Sequence, residues 1–271
     1  MAYWSYSQLA LYKKCPLKFK WQRIDKRPLP PWDGKRAYIG HVLQKTVERF
    51  YVEEWWRDPH NTTARMLTEI PTIGRQVTEA EAVLWSPGEQ EKWLATALDA
   101  VPKIVEVIKT ERLLGVTNLS EFEIEVPLGP DRIVGRVDFL FEHPDGSLTV
   151  LDGKAGGSFG KFVEADQLRL YALGVLASRF RRLPTKVGFW WYRFGRIVWR
   201  PVRRKVLERF IEGVKATIAR VRSKDYAPTP GGHCRYCEWK SDCPEGRAWL
   251  WRNQKTVTID SEANVGTTGF E

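Results

Sequence analysis

The chain has 271 residues, 43% hydrophobic and 28% charged, a composition that excludes intrinsic disorder and fits one large domain or two small ones. No apolar run approaches the ~20 residues that span a bilayer, and Met-Ala-Tyr-Trp-Ser lacks the regions of a secretory signal, so a soluble cytoplasmic protein without membrane contact is expected. The formal net charge is +10, and residues 179–209 hold eleven Lys or Arg against Glu208 alone. Residues 1–36 hold nine more bases against Asp25 and Asp33. Such concentration is the electrostatic footprint of a polyanion partner.

In chain order, residues 6–27 read as helical, with apolar points at Leu9, Leu11, Tyr12, Leu17, Phe19 and Trp21. Pro28, Pro30, Pro31 and Gly34 break the chain, and a long helix follows over 37–57. Residues 61–115 are expected to be mainly helical, interrupted at Pro71, Gly74 and Pro87–Gly88. The period then changes to two: strands are expected over 120–127, 132–142 and 148–153, the last two joined by the turn sequence His143-Pro144-Asp145-Gly146. A helix over 164–180, a hairpin of 185–193 and 196–202 about Gly195, and a helix over 203–223 complete a mixed α/β chain. The end, 253–271, reads as a mobile polar tail.

The chain has four cysteines: Cys15, and Cys234, Cys237 and Cys243 as C-x2-C-x5-C. Three thiols clustered among charged residues argue against unrelated core cysteines and for a four-thiolate metal site, with Cys15 the fourth ligand. Zinc and an iron–sulfur cluster both accept four thiolates. His233 is the nearby substitute.

A hairpin centred at residue 145 sets Asp138 opposite Asp152, with Cβ atoms about 5 Å apart. Lys154, Val150 and Leu148 share the face of Asp152, the last two as an apolar floor. Two facing carboxylates repel, more so when buried, and a divalent cation such as Mg²⁺ or Mn²⁺ offsets that repulsion. His41 opens the long helix, and Gln167 and Tyr171, four residues apart, share one face of the helix after the hairpin. Glu123 and Glu125 alternate on one face of the preceding strand and read as a solvated edge.

His41, then Gly135-Arg136-Val137-Asp138, then Asp152-Gly153-Lys154, then Gln167 and Tyr171 form an ordered set. With Ser5-Tyr6-Ser7-Gln8-Leu9, Tyr12, Cys15-Pro16 and C-x2-C-x5-C, this set resembles the RecB/Cas4-type branch of the PD-(D/E)XK nucleases, including iron–sulfur members such as Cas4 and AddB. The resemblance covers residues 4–245, outside an insertion over 58–118. It implies an α/β restriction-endonuclease-like core in a single domain over 1–252, with residues 1–30 and 224–252 as an iron–sulfur lobe. It implies a prokaryotic or phage-encoded enzyme in which His41, Asp138, Asp152 and the Gly153 carbonyl hold catalytic Mg²⁺ or Mn²⁺. Lys154 would orient the attacking water and stabilise charge on the scissile phosphate. Gln167 and Tyr171 would position the DNA strand, and Cys15, Cys234, Cys237 and Cys243 would hold a [4Fe-4S] cluster. Many members carry Glu where Asp152 stands.

Arg193, Arg196 and Arg200 are expected to contact DNA, interleaved with Trp190, Trp191 and Trp199. Trp190 and Trp191 point to opposite faces of a strand, so one is core and the other is free to stack on a base, unless both are packed. The expected activity is that of an exonuclease on single-stranded DNA or duplex ends, in recombination and repair, phage DNA processing or CRISPR adaptation. The rivals are a structure-specific endonuclease and a non-catalytic zinc or iron–sulfur DNA-binding module. The chain contains no Walker A motif, so unwinding would come from a helicase partner, and an integrase is the other candidate partner.

Overall fold

A computed structural model describes residues 2–29, 34–114, 116–156, 159 and 165–262. The chain divides into two compact units: Met1–Tyr6 with Trp32–Glu212, and Ser7–Pro31 with Gly213–Glu271.

The first unit is built on a six-stranded mixed sheet. Its strands are β1 (Ala2–Ser5), β2 (Thr117–Leu128), β3 (Asp131–Glu142), β4 (Leu148–Lys154), β5 (Lys186–Trp191) and β6 (Arg196–Arg200). β2 pairs antiparallel with β3 along its whole length. The other edge of β3 is shared end to end. Ala2–Ser5 run parallel to Asp131–Val134, while β4 runs antiparallel to Phe139–Glu142. Between these two partners, residues 135–138 of β3 form no ladder on that edge. β5 then pairs parallel with β4, and β6 antiparallel with β5.

Helices cover the sheet because its strands are apolar on both faces. Leu148, Val150 and Leu151 are wholly buried, as a central strand requires. On one face, Phe139, Phe141, Leu151, Trp190 and Tyr192 join a core with α3 (Lys35–Val52), α4 (Thr62–Ala80) and α5 (Glu89–Thr110). α6 (Ala165–Ala177) packs against β2, β3, β4 and β5.

Four expectations need correction. β1 carries no sequence signal: four residues are too few for a periodic one, and its pairing partner lies about 130 residues away in sequence. α4 runs unbroken through Pro71 and Gly74. Its apolar face is buried along its length, and a Cβ at Gly74 would come within 2.6 Å of Leu94 and of Tyr38 Oη, so this glycine permits helix contact instead of ending a helix. The 185–193 strand stops at Trp191, and Tyr192–Phe194 form a 3₁₀ turn before Gly195 at φ +56°. The expected tail is instead partly helical: α8 spans Pro244–Glu262, and 263–271 lie outside the described residues.

The second unit contains α1 (Tyr6–Lys14) from Ser7 onward, α2 (Pro16–Phe19), a π turn Lys20–Ile24, the Gly213–Arg222 half of α7 (Arg204–Arg222), a 3₁₀ turn Gly232–Tyr236, and α8. Tyr12 Oη donates to the Asp225 carbonyl at 2.6 Å, and its ring meets Phe19 edge-on at 5.4 Å. Lys18 pairs with Glu238 at 2.6 Å, and Trp21 packs edge-on against Trp239 at 6.1 Å. Segments more than 200 residues apart in sequence thus share one small core. Among the described residues, no helix is long and apolar enough to cross a membrane.

Candidate active site

The gap in the β3 ladder sets the site. Phe139 pairs with Leu151, the register expected from a turn centred at residue 145. One step further, Asp138 and Asp152 leave the ladder opposite each other, where β1 and β4 have parted. The Gly153 N–H donates to Asp138 Oδ2 at 2.8 Å in place of a backbone partner.

Asp152 is 1% exposed. Tyr171 Oη donates to its Oδ1 at 3.3 Å, and Lys154 forms an ion pair with its Oδ2. Gln167 Nε2 donates to Tyr171 Oη at 2.9 Å, and Gln167 Oε1 lies 3.5 Å from Lys154 Nζ. Lys154, Asp152, Tyr171 and Gln167 therefore close a ring of contacts between β4 and α6. Every member has a partner, which a buried polar network needs to hold one geometry.

Burial and the neighbouring Asp152 charge push the Asp138 carboxyl up to about 8. Burial also raises Asp152, against the opposing effects of Lys154 and Tyr171. Burial, then the charges of Asp152 and Asp138, push the Tyr171 phenol upward, so it remains a donor. The two acids share less than two negative charges near neutral pH, as two buried like charges must. A bound divalent cation would reverse that balance.

Asp138 and Gly153 line a cavity of about 640 Å³ together with His41, Gln44, Glu121, Ala155, Gly156, Tyr192 and Arg193. Gly153 is required there, because a Cβ would come within 2.6 Å of Tyr192 Cζ and 2.7 Å of Gln44 Oε1. His41 is half exposed, and its Nδ1 is hydrogen-bonded to Glu81, the residue that caps the C-terminus of α4. A carboxylate accepts, so Nδ1 is the donor in this contact and Nε2 is the ring nitrogen left for another partner.

The structure brings His41, Asp138 and Gly153 to one cavity, while Asp152 and Lys154 lie in the ring beside it. Among the described residues, no three His, Cys, Asp or Glu side chains converge closely enough to hold a metal ion. The donor set nevertheless suits Mg²⁺ or Mn²⁺: the carboxylate of Asp138, the imidazole of His41 and the backbone of Gly153 line one cavity, with the Asp152 carboxylate adjoining.

Gln44, Glu48, Glu121 and Tyr192 also belong to this site. Gln44 and Glu48 stand three and seven residues after His41, so helical spacing could have placed them on its face. Tyr192 Oη donates to Gln44 Oε1 at 2.7 Å, and Gln44 Nε2 donates to Glu48 Oε1 at 3.1 Å. Burial raises Glu48, with Glu121 adding to the effect. Glu121 occupies the β2 position across from Asp138 at φ +54°, which interrupts the β2–β3 register between Ser120 and Phe122. Only the sheet register reveals it.

Arg193 lines the cavity, and Arg196 and Arg200 are exposed on β6. Trp190 and Trp191 are 0% and 2% exposed, so neither is free to stack on a base. The sheet is covered on both faces: Trp190 packs with Phe139 and Tyr192, and Trp191 with Phe159 and Phe194.

In the second unit all four cysteines are reduced and line one cavity. Cys15 precedes α2 and Cys243 precedes α8. Gly231 N–H donates to Cys234 Sγ at 3.4 Å and Gly246 N–H to Cys243 Sγ at 3.3 Å. Burial raises the Cys237 and Cys243 thiols. The four thiols line one cavity and two of the sulfurs accept backbone N–H groups, the donor type a thiolate-bound metal group uses, although among the described residues no three of them converge at metal-binding distance.

The sequence model of the PD-(D/E)XK nuclease superfamily matches residues 3–244. The chain belongs to that superfamily, and the mixed sheet with its split β3 edge is a restriction-endonuclease-like fold. No curated protein matches the sequence significantly. Among solved structures, a candidate exonuclease from Eubacterium rectale superposes with a TM-score of 0.55 at 13% identity, over 91% of this chain and 87% of that one. At that identity the likeness concerns the fold. The protein SSO0001 aligns over 85% of this chain and 95% of its own at 16% identity, with a TM-score of 0.34.

Proposed function

We propose that this chain is a metal-dependent deoxyribonuclease acting as an exonuclease on single-stranded DNA or duplex ends. The observation that carries this reading is the ring Lys154–Asp152–Tyr171–Gln167 beside Asp138, at the point where the sheet edge opens. His41, Asp138, Asp152 and the Gly153 carbonyl would hold Mg²⁺ or Mn²⁺. When bound, the ion supplies charge neutralisation and a water of lowered pKa.

The chain's own residues supply the remainder. Lys154, held by Asp152 and Gln167, presents an ammonium where charge grows on the scissile phosphate. Tyr171 fixes Asp152, and Gln167 fixes both Tyr171 and Lys154. Glu81 sets the tautomer of His41. Arg193 at the cavity, with Arg196 and Arg200 on β6, attracts a phosphate backbone that the acids alone would repel, so binding weakens steeply with salt. The four cysteines would hold a [4Fe-4S] cluster whose work is structural, joining the N-terminal helices to the C-terminal segment inside one unit. Duplex unwinding falls to a helicase partner; an integrase would be the partner in CRISPR adaptation.

The test is digestion of end-labelled linear single-stranded DNA with Mn²⁺, beside Lys154→Ala and an EDTA control. Metal-dependent laddering from one end, lost in the variant, is the expected result. Equal cleavage of circular single strands would assign an endonuclease. No cleavage of any DNA by cluster-loaded protein would leave a binding module.

A further inference from the structure

Two aromatic rings stand partly exposed beside the Asp138 cavity, at 39% for Phe159 and 38% for Phe194. Their centroids are 5.5 Å apart. Buried Trp191 anchors both, 5.5 Å from Phe159 and 6.3 Å from Phe194. The Arg196 guanidinium lies over Phe159, 5.9 Å from its centroid. Arg193, adjacent to Phe194 in sequence, lines the cavity, and so does Gly156. A Cβ on Gly156 would stand 3.8 Å from Trp191, so the aromatic cluster and the cavity adjoin.

The described charge around these rings is basic, from Arg193 and Arg196. Among the described residues, no carboxylate pairs with Arg193 or Arg196, although most other acids near the sheet have basic partners, such as Glu121 with Arg136 and Glu142 with Arg182. An apolar protein partner has no use for free guanidinium groups at this spot. A lone phosphate has no use for the rings. Single-stranded nucleic acid offers both a planar base and a phosphate at every nucleotide, whereas a duplex hides its base faces. Arginine stacks on aromatic planes as well as pairing with phosphate, so Arg196 suits either contact.

The geometry points to Phe159 and Phe194 as a stacking platform for a base of single-stranded DNA, with Arg193 and Arg196 holding the flanking phosphates. This deepens the nuclease reading and rests on it: the strand entering the Asp138 cavity is unpaired there.

The test uses the full chain in EDTA, where nothing is cleaved, so it reads binding even if the protein proves catalytically silent. Fluorescence anisotropy compares a labelled thymidine oligonucleotide with an abasic one of equal length and charge. The wild type is expected to favour the thymidine probe by about 10-fold or more, the size of one stacked base. The double variant Phe159→Ala with Phe194→Ala is expected to lose that preference while its abasic affinity stays within about twofold. Phe159→Tyr with Phe194→Tyr is expected to restore it, since the ring face is kept. Equal wild-type affinity for the two probes overturns the proposal without recourse to any variant. Equal weakening of both probes in a double alanine variant that melts like the wild type overturns it as well.

Discussion

The backbone N–H of Gly153 donates a 2.8 Å hydrogen bond to Oδ2 of Asp138, across the gap where β1 and β4 leave the same edge of β3. This contact replaces a ladder bond with one between a backbone donor and a buried acid. It places the proposed carbonyl ligand and the proposed carboxylate ligand in one cavity.

Gly153→Ala is expected to abolish nuclease activity and lower the melting temperature. Its Cβ would press on Tyr192 Cζ and Gln44 Oε1, both held in the Tyr192–Gln44–Glu48 chain. Overpacking of this kind costs about 1–3 kcal/mol. Thermal melts with and without Mn²⁺ check it; unchanged melting and cleavage would show that the cavity wall yields freely.

The metal-free protein is expected to lose stability as pH rises. Asp138 keeps its proton up to about 8 in the native state, against about 3.9 for a free aspartate. Between those values the native state binds more protons than the unfolded one, so stability is fullest below the lower value and falls towards the upper. Melting temperature in EDTA should decline across that window, and Asp138→Asn should flatten the slope. Mn²⁺ should restore stability most at the alkaline end. A slope that is the same in wild type and Asp138→Asn would refute the assignment.

Glu81→Gln is expected to weaken Mn²⁺ binding about 10- to 100-fold, the usual cost of losing a carboxylate behind a metal-binding imidazole. Glu81 lies at the end of α4, within the insertion, and acts through His41. Calorimetric titration of Mn²⁺ reads this directly, apart from turnover. Glu81→Asp should fail to rescue fully, because one methylene is lost from the reach to Nδ1.

Cys15→Ala is expected to remove metal loading and destabilise the second unit. Cys15 sits between α1 and α2, far in sequence from Cys234, Cys237 and Cys243, yet all four line one cavity. Iron and zinc content, colour after anaerobic purification and the melting temperature should move together. Iron with brown colour supports the cluster, and zinc without colour supports a single-ion site. Unchanged melting and metal content would exclude Cys15 as a ligand.

Much of the first unit was legible because it is written in short-range patterns. Alternation placed β2, β3 and β4, and the turn at residues 143–146 set the register that carries Asp138 to Asp152. Four-residue spacing placed Gln167 and Tyr171 on one helix face, where they are hydrogen-bonded. Other features were invisible because they depend on partners distant in sequence. Pro71 reads as a break in isolation, but the helix α4 continues past it with its apolar face buried. Trp190 and Trp191 alternate as strand residues should, yet whether a face is covered is a property of the neighbours, and here both faces are.

By itself, then, the sequence determined the strands β2, β3 and β4, the acid-bearing hairpin they build and the cysteine spacing, since each follows from periods of two, three or four residues and from turn chemistry. Tertiary structure alone decided that β3 shares one edge between β1 and β4, that Glu121 stands across from Asp138, that Glu81 reaches His41, and that Phe159 and Phe194 instead of Trp190 and Trp191 meet solvent. The reason is physical: local conformation is set by each residue and its near neighbours, whereas sheet order, burial and electrostatic pairing are set by contacts between segments that meet only once the chain has folded.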